Sequence, residues 1–170
     1  NACATLDYSQ LEVRIAAWLA HDEALLNAVD AEDVHTAVAA AIFDVAPENV
    51  EKWQRKLAKA GTFTFLFGGK AKLFYETALS QGSHMTLAEA YEFEETFFQR
   101  FTGLAKVRLG ATSAAQNRSS VSVVMPHGLI RTLAGPTLRP TTIMNTAVQG
   151  SAASGLKQAL LLCHEYGIDK

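Results

Sequence analysis

The sequence predicts an α+β fold that is mostly helical, on three observations. Long stretches carry apolar residues at the three- and four-residue spacing of an amphipathic helix. Two segments open with Ser or Thr followed three residues later by Glu, a helix-start signature: Ser9 with Glu12, and Thr86 with Glu89. Only two stretches read as strand. One is the apolar run that ends at Asp7; the other is "SSVSVVMPHGLIRTLAG", whose alternation around Pro-His-Gly predicts a hairpin.

The elements follow in order. "NACATLDYS" reads as a short buried strand ending at Asp7. Ser9 is expected to cap the next helix, with Leu11, Ile15, Trp18 and Leu19 on one face. A second helix is predicted over Asp33 to Phe43 and a third over Asn49 to about Phe67, stopped by Gly68-Gly69. A short helix follows from Lys72 to Leu79. Thr86 to Gln116 reads as one long helix. After the hairpin, "TTIMNTAVQGSAASGLKQALLLCHEYG" returns to helix. There is no repeat, low-complexity tract or clear linker.

At 170 residues the chain suits one compact domain or a piece of a larger one. It is 49% hydrophobic, enough for a sizeable core. Its net charge of −2 points to no partner, but the charges are segregated. Asp22 to Glu51 holds eight acids and no Lys or Arg; Lys52 to Lys72 holds six bases and no acid. Such blocks are usually solvated surface, and they can also mark a local anion site. Cys3 and Cys163 sit far apart in sequence and fit neither metal spacing nor a disulfide framework, which points to a reducing compartment. No apolar run reaches membrane length and no signal segment is present, so no membrane partner is expected. The absence of an initiator Met and the ending "YGIDK" suit a fragment of a longer protein.

Three constellations carry chemistry. A carboxylate at the end of a buried strand needs neutralising, and a divalent cation does this. Mg²⁺ takes a few carboxylates together with substrate phosphates, so Asp7 and the Tyr8 carbonyl form a candidate pair; the alternative is that Asp7 caps a turn. In "RKLAKAGTFTFLFGG", Arg55, Lys59, Phe63 and Phe67 recur every four residues and form a slanting stripe on one helix side. Two cations one turn apart can grip successive phosphates, and the rings beyond them can receive a base or sugar. The alternative is a solvated basic end and core aromatics. Gly61 inside this helix costs roughly 1 kcal/mol against Ala, which suits a close approach to the backbone or a bend. In "MNTAVQGSAASG", Asn145 and Gln149 lie four apart and can each donate and accept, as minor-groove contacts require. The alternative is two amides on a solvated face. The small residues Gly150 to Ala153 would let another backbone come close.

In this order and spacing, these segments resemble the polymerase domain of family A DNA polymerases. "LDYSQLEVRIAAWLA" is similar to motif A, "RKLAKAGTFTFLFGG" to the motif B helix, "DVHTAVAAAIFDV" to the Asp-Ile-His-Thr segment between them, and "MNTAVQGSAA" to the Asn-x-x-x-Gln-Gly helix. The resemblance covers nearly the whole chain. It implies palm strand and helical fingers of a right-hand polymerase, as a partial domain: 1–45 palm with motif A, 46–115 fingers, and 116–170 return to palm.

The family's residue roles can be carried across on that basis. Asp7 matches the catalytic aspartate that holds both Mg²⁺ ions, with the Tyr8 carbonyl sharing that duty. Glu12 matches the steric gate against a ribose 2′-hydroxyl. Gln10 and Arg14 match residues that support the site and touch primer or template. His35, Arg55 and Lys59 match groups on the incoming triphosphate, with Lys59 also the proposed general acid. Phe63 matches the ring that senses the sugar 3′-hydroxyl, where Phe discriminates against dideoxynucleotides. Phe67 matches a Tyr that stacks in the insertion site, and Asn145 and Gln149 match contacts to the nascent duplex.

Several positions depart from the family pattern. Thr64 replaces a usual Gly, Phe67 lacks a Tyr hydroxyl that would link to Glu12, and Thr141 replaces a frequent Arg. The hairpin resembles phage-type members as much as bacterial ones. The His-Asp-Glu motif that supplies a second metal-binding Asp is not found, and Asp169 lacks the flanking His and Glu. The implied function is a fragment of a cytoplasmic, monomeric DNA-directed DNA polymerase, acting on deoxynucleoside triphosphates and primer-template DNA with two Mg²⁺ ions, and inactive in isolation. The competing readings are a non-catalytic nucleotide or primer-template binder of the same fold, and an unrelated helical protein.

Overall fold

Helix starts and stops here follow from a few capping groups. The computed structural model describes residues 7–167, which form eight α-helices and one two-stranded antiparallel sheet. The helices are α1 (Leu11–Ala20), α2 (Glu23–Val29), α3 (Val34–Phe43), α4 (Lys52–Leu66), α5 (Ala71–Ser80), α6 (Leu87–Arg100), α7 (Thr102–Asn117) and α8 (Pro140–Glu165); the strands are β1 (Ser120–Val124) and β2 (Ile130–Ala134). The expected N-terminal strand, Cys3 and Asp169 lie outside the described residues, apart from Asp7 at the strand's end.

Thr86 and Glu89 close the expected capping box at α6. The Gly68-Gly69 stop of α4 is a Schellman motif: Gly69 N–H bonds Thr64 C=O at 2.8 Å and Gly68 N–H bonds Phe65 C=O at 3.0 Å, with Gly68 at φ 79°. The Ser9 cap is not formed. The residue before α1 is Gln10 in the left-handed region (φ 55°), with no side-chain cap. Ser9 is engaged through its carbonyl, which accepts from Arg14 Nε at 3.2 Å.

The long helix expected over Thr86 to Gln116 is two helices. Phe101 (ψ 71°) breaks it, and the cause lies elsewhere in the chain. Asp22 caps α2 by accepting from Leu25 N–H at 3.0 Å, and its other oxygen accepts from Leu104 N–H at 3.0 Å. One buried carboxylate therefore caps α2 and the restarted α7 together. Gly103 permits the approach, since a Cβ there would lie 2.6 Å from the Ala20 carbonyl oxygen. The helix α2 itself was not anticipated.

The core of the middle segment is aromatic. Phe65 of α4 packs against Phe97, Phe74 and Phe98 at 5.1, 5.4 and 5.6 Å between centroids, joining α4, α5 and α6. Gly61 serves this core rather than a ligand: a Cβ there would meet Phe93 Cε1 at 2.6 Å. The predicted hairpin is present, with Val121 facing Leu133 and Val123 facing Arg131. Its turn region packs on α8, where Gly150 is covered by the Met125 side chain; a side chain, not another backbone, uses the small-residue stretch at that point.

Candidate functional site

The acidic and basic blocks meet across α3 and α4, which pack side by side. Asp33 accepts from His35 N–H at 3.0 Å and Thr36 Oγ1 at 2.9 Å, capping α3. The same carboxylate takes Arg55 Nε of α4 at 2.5 Å. Burial alone would raise the Asp33 pKa, but the hydrogen bonds from Arg55, Thr36 and the His35 backbone outweigh it and hold it at about 2. The basic stripe is thus locked to α3 at its first cation. Arg55 and Lys59, one turn on, are both exposed, and Lys59 forms no ion pair with the described residues.

His35 is the buried member of this group. Its ring lies 5.8 Å from that of Phe63, and neither ring nitrogen has a partner among the described residues. Burial pushes its pKa below the usual 6.5; Asp33 opposes this, while Lys59 and Arg55 add to it. The unfolded chain therefore binds this proton before the folded one does. Stability owed to neutral His35 is complete above pH 6.5 and declines as the pH falls below it. Thermal melts across this range should show a shallower decline in His35→Gln than in the wild type; parallel curves would exclude His35 as the source.

The stripe continues toward α8. Phe63 and Phe67 are half-buried, and Gly68 sits on the first turn of α8: a Cβ there would lie 3.1 Å from both Thr141 Cα and Met144 Sδ. Thr141 precedes Asn145 by one turn. A cleft of about 450 Å³ opens there between the hairpin and α8, lined by Arg131, Thr141, Thr142, Asn145, Thr146 and Gln149 among others. Gln149 is exposed, whereas Asn145 Oδ1 is buried and unpartnered among the described residues. The solvated-amide alternative therefore does not describe Asn145.

Asp7 and Tyr8 lie in the exposed segment before α1. Glu12 is half-buried in the first turn of α1, where the helix dipole favours an acid. Arg14 is exposed and pairs with Asp30 at 3.7 Å. Helix α1 touches α4, but no hydrogen bond or ion pair among the described residues joins Asp7 or Tyr8 to the α3–α4 group. Sequence reading missed Asp33, whose signal was its place two residues before His35 at a helix start, and the left-handed Gln10, which left no signal. A cavity of about 690 Å³ lies away from these residues, between α3, α4 and α6 and the 81–85 loop. Its α4 residues are Trp53, Lys56 and Leu57, and none of the four stripe residues lines it.

This ordered set of segments can be compared with known proteins. The profile described as DNA polymerase family A matches residues 1–169. The chain belongs to that family. DNA polymerase I of Geobacillus stearothermophilus is 32% identical over 162 residues, covering 91% of this chain and 18% of that protein. The thermostable DNA polymerase I of Thermus thermophilus is 32% identical over 176 residues, covering 94% and 19%. The solved POL domain of Pol1 from M. smegmatis, in complex with DNA primer-template and dNTP, superposes with a TM-score of 0.73 at 28% identity, over 95% of this chain and 30% of that one. The chain thus spans under a fifth of the length of these curated polymerases. The hairpin, the Schellman stop and the α3–α4 pairing belong to a polymerase-domain segment, and no described helix is long and apolar enough to cross a membrane.

The donor set tests how far this family segment suits a metal. Asp7 and the Tyr8 carbonyl are hard oxygen donors of the kind Mg²⁺ takes. Among the described residues, however, no three His, Cys, Asp or Glu side chains cluster as a metal site. One carboxylate and one carbonyl do not by themselves build a two-ion centre.

Proposed function

We propose that this segment carries the nucleotide-gripping face of a DNA-directed DNA polymerase, which joins deoxynucleotides to a primer 3′-hydroxyl. The observation that carries this reading is the His35–Phe63 ring contact, which sets Asp33, His35, Arg55 and Lys59 together on α3 and α4. The polymerase domain that this chain resembles was solved with primer-template and dNTP, which supports those ligand classes here.

In this reading the Arg55 fork and Lys59 hold the triphosphate, while Asp33 fixes Arg55 through Nε and leaves its terminal nitrogens for phosphate. Neutral His35 supports this group from below through Phe63. Phe63 and Phe67 receive the sugar and base, and Glu12 lies under the sugar. Arg14 and Gln10 support primer and template, and Asn145 and Gln149 meet the duplex. The primer 3′-hydroxyl gives its proton to solvent as its oxygen attacks the α-phosphorus, the bond to the bridging oxygen breaks, and pyrophosphate leaves with that electron pair. Lys59 is placed to give it a proton. Asp7 and Tyr8 contribute one half of the magnesium-binding donors, so the second carboxylate must come from other residues. The isolated 170-residue chain is therefore a binder without turnover.

Titration with dATP tests the gripping face. Lys59→Ala and Arg55→Ala should each weaken binding by about 1–3 kcal/mol, the worth of a charge-assisted contact. Arg55→Ala should also lower stability, because Asp33 loses its partner. Unchanged affinity in both variants sinks the reading in favour of an unrelated helical protein. Template-directed primer extension by the isolated chain would refute its lack of turnover.

A further inference from the structure

The cavity between α3, α4 and α6 has no part in the polymerase reading. Its volume of about 690 Å³ lies inside the roughly 300–1,000 Å³ of small-molecule sites. One wall is a row of rings. Phe43 meets Trp53 at 5.2 Å and 73°, and Phe93 at 5.9 Å and 64°, both edge to face. The Trp53 indole N–H donates to the Glu51 carboxylate at 3.0 Å, and Glu51 N–H donates to Gln54 Oε1 at 2.8 Å. The indole is therefore held in place with its one donor satisfied, yet Trp53 stays 50% exposed. A ligand can cover its ring without stranding a polar group. Another wall is the 81–85 loop. Gly82 turns it at φ 82°, Ser83 N–H bonds Ala78 C=O at 3.0 Å, and Lys56 of α4 donates to the Gln81 carbonyl. Met85 lines the cavity from this loop with an unbranched thioether that adapts to a flat guest.

The charges around the cavity are unequal. Lys56 is its one Lys or Arg, beside His84, and the Gln81 carbonyl engages the Lys56 ammonium. Two acids line it, Glu89 and Glu92, three residues apart on α6 and so on one side of that helix. Bonds from the Thr86 N–H and hydroxyl hold the Glu89 carboxyl below the usual carboxylate value, which keeps it ionised at neutral pH. Glu92 is exposed and forms no ion pair among the described residues. Ring faces beside carboxylates attract a cation that carries an apolar body. We propose that this cavity binds a small aromatic cation, with its ring against Trp53 and Phe43 and its charge toward Glu89 and Glu92. Arg55, Lys59, Phe63 and Phe67 do not line it, so the site is separate from the nucleotide-gripping face and does not rest on that reading.

Proton–nitrogen correlation spectra of the full 170-residue chain test this. Trp18 and Trp53 are its two tryptophans, so Trp18→Phe assigns the two indole signals. The probe is benzyltrimethylammonium, with N,N-dimethylbenzamide as its neutral counterpart and phenylmethanesulfonate as its anionic one. The cation should move the Trp53 indole signal saturably and leave the Trp18 signal in place. Its dissociation constant should lie about five- to tenfold below that of the neutral amide, and the anion should not saturate. The double change Glu89→Gln with Glu92→Gln keeps a side chain at 89 that can close the Thr86 capping box. It should bring the cation to the affinity of the amide. An unmoved Trp53 signal, equal affinity for the three probes, a preference for the anion, or an unchanged cation affinity in the double variant overturns the proposal. So does a Trp53 signal that moves with chain concentration alone, which makes a second copy of the chain the occupant.

Discussion

Asp22→Ala should lower the unfolding free energy by about 2–4 kcal/mol, because it removes two helix caps at once and leaves two N–H groups without acceptors. Both acceptor bonds, to Leu25 N–H and Leu104 N–H, are 3.0 Å long and buried. Water cannot replace the carboxylate without opening the contact between the 20–22 turn and α7. Gly103 brings the two backbones too close for an inserted side chain, so the gap cannot be refilled from there either. Asn at position 22 keeps one acceptor oxygen and should recover about half of the loss. Urea unfolding of the three proteins measures this directly. A midpoint for Asp22→Ala indistinguishable from wild type would show that the double cap holds nothing.

The same aspartate marks where the sequence was legible and where it was not. Local signals were read well. The Thr86–Glu89 box, the Gly68-Gly69 stop and the hairpin around Pro-His-Gly depend on residues within a few positions of one another, and all formed. What failed depended on distant partners. The break at Phe101 is set by the Asp22 carboxylate, which bonds Leu104 eighty-two residues further along the chain, and nothing near Phe101 announces it except Gly103. Ser9 failed as a cap for a different reason: Gln10, not Ser9, stands immediately before the helix, and it turns the chain through a left-handed conformation its side chain does not favour. The stripe Arg55-Lys59-Phe63-Phe67 was legible because its spacing is itself helical. Its locking to Asp33 was not, since that pairing crosses two helices. Gly61 was read as marking either a close approach or a bend, and the structure shows the first, with the Phe93 ring of the core as the approaching group.

The second large effect is expected at Arg108. Its guanidinium binds Glu94 of α6 and lies 4.4 Å from the centre of the Phe98 ring; the pair is largely buried. The other Glu94 oxygen accepts from Ala71 N–H at 2.5 Å, at the first residue of α5. Ala71 follows the Schellman stop of α4 by two residues, so this carboxylate anchors the chain just where the stripe-bearing helix ends. Arg108→Ala leaves Glu94 desolvated with only that one donor, and breaking a buried pair from one side costs about 3–5 kcal/mol. Replacing both partners, as Arg108→Met with Glu94→Leu, removes the stranded charge and should recover most of that loss, although the start of α5 then lacks its acceptor. The single change should also loosen the α4 end that carries Phe67, so nucleotide affinity should fall in Arg108→Ala even at temperatures where the chain is fully folded. Chemical denaturation paired with dATP titration reads both consequences. If the double variant is no more stable than Arg108→Ala, the loss comes from packing on Phe98 and not from the buried charge.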